Sequence, residues 1–147
     1  RSDDDLLHDR PMTIFYTIDD ANARLSDVRP ILELLRGQRT ELVDLRDRLL
    51  AVAAGDPGGS AREDDSDEAR LIRLKIRALV DQMGASVTRL DEWGVTLRDI
   101  ETGLIDFPAL VSGRQVCLCW RLGEGPIEWW HELEAGFGGR QRLIDLA

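Results

Sequence analysis

Residues 114–133 read "RQVCLCWRLGEGPIEWWHEL", and the fold turns on how they pair. Two β-prone runs, 114–122 and 127–133, flank the turn-forming GEGP at 123–126, which predicts an antiparallel hairpin. With a four-residue turn, Leu122 stands opposite Ile127, Trp120 opposite Trp129, Cys119 opposite Trp130, Leu118 opposite His131 and Cys117 opposite Glu132. Side chains alternate across a strand. Val116, Leu118, Trp120, Leu122, Ile127, Trp129 and His131 then share an apolar face that meets the core. Cys117, Cys119, Arg121, Glu128, Trp130 and Glu132 share a mixed face with partial solvent contact. The strand period is two, so a slip of one residue would exchange these partners.

Working outward, "VTLRDI" (95–100) and "LIDFP" (104–108) flank "ETG" and predict a second hairpin, while 134–147 contains Gly136, Gly138 and Gly139 and predicts a loop with a short apolar end. Toward the N-terminus the period changes. Val28, Leu35, Leu42 and Leu49 recur every seven residues, with Ile31, Leu45 and Val52 between them and Gln38 breaking the row. Ala69, Ile76, Met83 and Leu90 form a second such row, with Ile72, Leu79 and Val87. Both are amphipathic helices with coiled-coil-like seams. Thr17 with Asp20 is a capping-box pattern that starts a helix at Ile18, and Gly94 is placed to end the second helix. Pro30 predicts a break, or the first turn of a new helix capped by Ser26 or Asp27. "TIFYT" (13–17) predicts a short strand. Between the helices, 55–67 is too rich in Gly, Pro, Ser and acids to bury apolar area and predicts a flexible linker.

The fold class predicted is therefore α+β: a long antiparallel helical hairpin (18–93) packed with a small antiparallel β-sheet (95–147). Residues 1–12 are expected to be a flexible tail and 13–147 a single domain, which suits a chain of 147 residues.

The net charge of −9 is uneven. Residues 56–68 carry six acids and one Arg, and the first ten carry four acids and two Arg, leaving only −2 for the other 124 positions. Lys75 is the only Lys. This argues against duplex nucleic-acid binding, which needs clustered cations to displace counterions. No apolar run approaches the roughly 18–20 residues of a membrane span. Cys117 and Cys119, one residue apart, suit a reducing compartment better than a disulfide. A cytoplasmic location without membrane or nucleic-acid partners is expected.

The segments "TIDDANARLSDVRPILELLR", "WGVTLRDIETGLIDFPAL" and "VCLCWRLGEGPIEWWHELEAGFGGRQ" together resemble the prokaryotic family of unknown function DUF2203, over about 13–53 and 69–142. "GLIDFPA" and "LCWRLGE…WHELEAGFGGR" carry the likeness; the helices do not. The resemblance implies a small cytoplasmic bacterial or archaeal protein and no particular activity. It places Asp106, Phe107, Pro108, Cys119, Trp120, Gly123, Glu124, Trp130, His131, Gly136, Phe137 and Arg140 in signature segments. Family members often carry Pro near Ser26, where this chain has none.

The candidate ligand-binding residues are Asp106, Cys119, Trp130, His131, Glu132 and Arg140. His131 has the chemistry of a ligand or general base, with Asp106, Glu132 and Glu134 as carboxylate partners. Any metal would use His131 with Glu132 or Glu134. Adjacent His131 and Glu132 diverge on a strand, whereas a helical turn at 131 would join His131 to Glu134. A Cys119–His131 nucleophile is disfavoured by the assumed register, which puts the two on opposite faces. "GFGGR" lacks the Lys-Ser/Thr ending of a phosphate loop, though Arg140 could clamp an anion. No cofactor is expected, and a divalent metal is the alternative. Apolar positions beyond the seams, including Leu32, Leu34, Leu50, Leu71 and Leu74, favour a homodimer through the helices. The favoured function is a non-enzymatic binding or protein-interaction module. The alternative is a small enzyme, or a metal- or anion-binding protein, with its site around His131, Glu132 and Arg140.

Overall fold

Thr17 opens the first helix as its spacing predicts: its Oγ1 accepts the backbone N–H of Asp20 at 3.0 Å and stabilises the exposed first turn. The computed structural model describes residues 14–55 and 66–145. The tail at 1–12 and most of the 55–67 linker lie outside the described residues. Helix α1 runs Ile18–Ala54 and helix α2 runs Asp67–Glu92, the latter capped by Ser66 Oγ on the N–H of Ala69. Asp67 therefore belongs to α2 rather than to a linker. The C-terminal end of α2 is held by N–H bonds from Gly94 to Asp91 and from Val95 to Leu90, with Gly94 at φ +72°. This double closure needs the left-handed backbone that glycine adopts without strain.

Pro30 does not break α1, which is one helix of 37 residues. A proline inside a helix removes a hydrogen bond and costs about 3 kcal/mol. Here the deficit falls on the exposed side. Val28, Leu32 and Leu35, on either side of Pro30, are buried against the sheet, so tertiary packing carries the helix across the defect. Ser26 caps nothing and donates its hydroxyl to the Ala23 carbonyl.

The sheet is a meander of five antiparallel strands in chain order: β1 Thr96–Asp99, β2 Leu104–Val111, β3 Arg114–Arg121, β4 Trp129–His131 and β5 Gln141–Arg142. β2 runs through Pro108 to Val111 and meets β3 across a tight turn at Ser112 and Gly113, whose φ values of 51° and 77° are those of a two-residue hairpin. Residues 14–17 form no strand. The Tyr16 N–H bonds the Pro108 carbonyl at 2.8 Å, but Pro108 has no N–H to return, so no ladder propagates.

The β3–β4 register is one residue from the predicted one. Cys117 faces His131, Leu118 faces Trp130 and Cys119 faces Trp129. The cause is the connection. The Leu122 N–H goes to the Gly103 carbonyl, the Trp120 indole N–H to the Gly125 carbonyl and the Ile127 N–H to Asn22 Oδ1 on α1. Leu122 and Ile127 thus never pair, and the four-residue turn opens into a loop spanning 122–128. The faces exchange accordingly. Trp130 is a core residue rather than a half-exposed one, and Trp129 and His131 point away from the helices.

The main core joins Val28, Leu32 and Leu35 of α1 and Leu90 of α2 to Ile105, Phe107, Val116, Leu118, Trp120 and Trp130. Tyr16 meets Phe107 edge-on, ring centroids 5.0 Å apart, an arrangement aromatic quadrupoles favour. Beyond the sheet the helices continue as an arm with its own small core of Leu45, Ile72 and Leu79, flanked by Leu42, Leu49, Val52 and Ile76.

Gly103 and Gly113 separate backbone strain from steric conflict. Both have positive φ, but a Cβ at Gly103 would fall 2.6 Å from Leu122 Cδ1 whereas one at Gly113 meets nothing within 4 Å. Gly113→Ala should cost only the left-handed penalty, about 1–2 kcal/mol. Gly103→Ala should cost about 1–2 kcal/mol more, because the Leu122 side chain must also move. Chemical denaturation of both variants checks the difference; equal losses would contradict the Leu122 contact.

Candidate functional site

The face of the sheet turned away from the helices carries the polar chemistry. Alternation along each strand sends Asp106 of β2, Cys117 and Cys119 of β3, and Trp129 and His131 of β4 to this side. Thr96 pairs with Asp106, and Arg98, at the irregular step of β1 between Leu97 and Asp99, reaches the Asp106 carboxylate. In a two-layer domain this face would be wet. Here His131 is only 1% exposed and Asp106 3%, and both cysteines are buried.

His131 Nε2 lies 2.8 Å from Asp106 Oδ1, and Arg98 Nε donates to Asp106 Oδ2 at 2.7 Å. His131 Nδ1 lies 2.7 Å from the Glu132 carbonyl oxygen. A carbonyl only accepts, so Nδ1 carries a proton and donates it. Both ring nitrogens are thus engaged, and neither is free to serve as a general base.

Cys117 completes a group with Asp106 and His131 in which one potential ligand atom from each lies within 4.8 Å of the others. The register places Cys117 directly across from His131; the expectation that Cys and His diverge is overturned with the register. Burial, then the Asp106 charge, pushes the Cys117 thiol up, against the opposing pull of Arg98. Burial pushes Cys119 up to about 11, although Arg140 pulls the other way. A thiol nucleophile needs a lowered value, so neither cysteine is activated.

The remaining candidates go elsewhere. Trp130 is on the core face with Arg114 over its ring at 5.7 Å. The Glu132 carboxylate pairs with Arg114 at 3.2 Å, and only its carbonyl serves His131. Glu134 is exposed. Among the described residues, the three-residue cluster of potential metal ligands includes neither of these acids. Arg140 is mostly buried beside Cys119, ion-paired to Glu124 at 2.6 Å and held over Trp129 and Phe137 at 4.9 and 4.7 Å. This holds the turn at Phe137–Gly139 against the sheet and commits Arg140 Nη2 to Glu124, while its Nε is buried without a hydrogen-bond partner. Sequence reasoning missed Arg98, Cys117 and the Glu124 tie to Arg140. Arg98 lies at an irregular step of β1, which alternation along "TLRD" does not signal. Glu124, inside a turn, carried no signal either.

Glu124 locks this region. Burial disfavours its charge, but the Arg140 hydrogen bond and the Arg121 N–H at 2.8 Å outweigh burial and hold the carboxyl below its usual value. A carboxyl depressed by folding adds stability above its unfolded value of about 4.3, and that stability is lost as pH falls through the folded value. Glu124→Gln should therefore lower stability by about 1–2 kcal/mol at neutral pH, with the difference from wild type closing below about pH 4. Thermal unfolding across pH checks this; a gap constant down to strongly acidic pH would contradict the ion pair.

No curated protein and no solved structure matches the chain. Residues 14–143 match the model of the family described as an uncharacterised conserved protein, DUF2203. That match spans both helices and all five strands, and the chain belongs to this family.

Proposed function

We propose that the protein is a non-enzymatic interaction module that homodimerises through its helical arm. The chemistry of the sheet face supports a role without catalysis. His131 has both ring nitrogens bonded, the Cys117 and Cys119 thiols are held protonated by burial, and Arg140 is paired. Apart from Arg140 Nε, which is buried without a hydrogen-bond partner, these groups are engaged or held neutral within the fold.

The arm supports the dimer, and one feature carries the reading. A groove of about 370 Å³ runs between α1 and α2, with Leu45, Ala78 and Leu79 lining it alongside Glu41, Asp44, Arg48, Lys75 and Gln82. Glu41 and Asp44 come first along α1 and Arg48 follows, nearer the tip. Lys75 lies early on the returning α2. Gln38 stands level with Gln82, so Lys75 lies close to the level of Asp44, with Glu41 on the sheet side of the groove and Arg48 on the tip side. Among the described residues, none of these four charges makes an ion pair within the arm. A two-fold axis across the groove sets Glu41 of one copy against Arg48 of the other, which is the self-complementarity that an isologous interface requires. Leu71, four residues before Lys75 and so on the same flank of α2, is exposed and extends the apolar part of the contact.

Light scattering after size exclusion should give a dimer mass that falls on dilution and at high salt. Arg48→Glu should yield the monomer, and adding Glu41→Arg should restore the dimer by exchanging the two signs. A monomer at every concentration, or a dimer untouched by Arg48→Glu, would refute this interface.

A further inference from the structure

We infer that Asp106, Cys117 and His131 form a binding site for one divalent cation of the zinc class, a site independent of the proposed dimer. His131 Nε2 and Asp106 Oδ1 face each other 2.8 Å apart. The donors around that point are an imidazole nitrogen, a carboxylate oxygen and a thiol sulfur, one from each of three adjacent strands, all buried and within 4.8 Å of one another. Mixed nitrogen, oxygen and sulfur donors select borderline ions such as Zn²⁺ or Co²⁺; Mg²⁺ and Ca²⁺ take oxygen donors.

What distinguishes this from a chance cluster is the shell behind the donors. A ligating histidine almost always donates its other N–H to a carbonyl or carboxylate, and ligating carboxylates are themselves hydrogen-bonded. Both arrangements are in place. Nδ1 of His131 donates to the Glu132 carbonyl at 2.7 Å, and Asp106 Oδ2 receives Arg98 at 2.7 Å while Oδ1 faces the shared centre. Tetrahedral coordination needs the nitrogen and oxygen roughly 3.3 Å apart, a spread of a few tenths of an ångström that small side-chain rotations provide. Arg98, more accessible than its partner Asp106, also lies beside Cys117 and offsets the negative charge of a metal-bound thiolate.

The test loads the purified full chain with Co²⁺ and, separately, Zn²⁺, with Ca²⁺ as control. The expected result is one Co²⁺ per chain with a thiolate-to-metal charge-transfer band, and a melting temperature raised by Co²⁺ and Zn²⁺ but not by Ca²⁺. Cys117→Ser, nearly isosteric, should abolish the band while Cys119→Ser retains it. Asp106→Asn, which keeps the hydrogen-bonding shape, should weaken binding at least tenfold. Absence of stoichiometric Co²⁺ binding, or a band that survives Cys117→Ser, overturns the site. His131→Gln tests the third ligand, and the cysteine pair keeps the experiment decisive if that variant fails to fold.

Discussion

The Ile127 N–H donates to Asn22 Oδ1 at 2.7 Å, and the arrangement of the sheet's second half depends on this bond. It draws Ile127 onto α1, away from Leu122, which gives its own N–H to Gly103. The connection between β3 and β4 then spans seven residues, 122–128, the register shifts by one, and every side chain of β4 changes face. Trp130 enters the core against Leu118, and His131 arrives across from Cys117. A buried backbone donor without a partner costs about as much as a lost hydrogen bond. Asn22 supplies that partner from the opposite layer, so the helix sets the register of strands it does not neighbour in sequence.

The exchange explains how the sheet encloses polar side chains. Asp106 and His131 are almost fully enclosed, where a polar group without a partner is costly. Arg98 and the Glu132 carbonyl complete the network, so each polar atom of the pair has a partner. Arg140, held against Trp129 and Phe137 and tied to Glu124 through Nη2, lies beside Cys119 with its Nε left without a hydrogen-bond partner. Both devices sit on the side of the sheet that the helices leave uncovered. The face is therefore closed by ion pairs and aromatic stacking rather than by a second layer of helices.

The helical half shows where local patterning suffices. The seven-residue rows, the Thr17 cap and Gly94 each act within a turn or two, so α1, α2 and their ends were legible from spacing alone. Pro30 was the exception, because its local cost is overridden by residues packing on a sheet more than seventy positions away. Of the site, Asp106 and His131 were legible as chemistry but not as a pair. Cys117 and Arg98 could not be joined to them while β4 was assigned to the wrong face.

Composition, period and cap chemistry by themselves determined the α+β class, the helical hairpin and strands β1 to β4, but not β5, which lies in a stretch expected to be a loop. These follow from interactions among near neighbours, which the sequence displays directly. Tertiary structure alone decided which face each residue of β4 occupies, whether α1 continues through Pro30, and which groups surround His131. Each of those outcomes is a competition between a local preference and a distant partner: GEGP against Asn22 and Gly103, Pro30 against the core, a free imidazole against Asp106. The distant partner wins because burial makes an unmet hydrogen bond or an open cavity cost more than a local preference is worth.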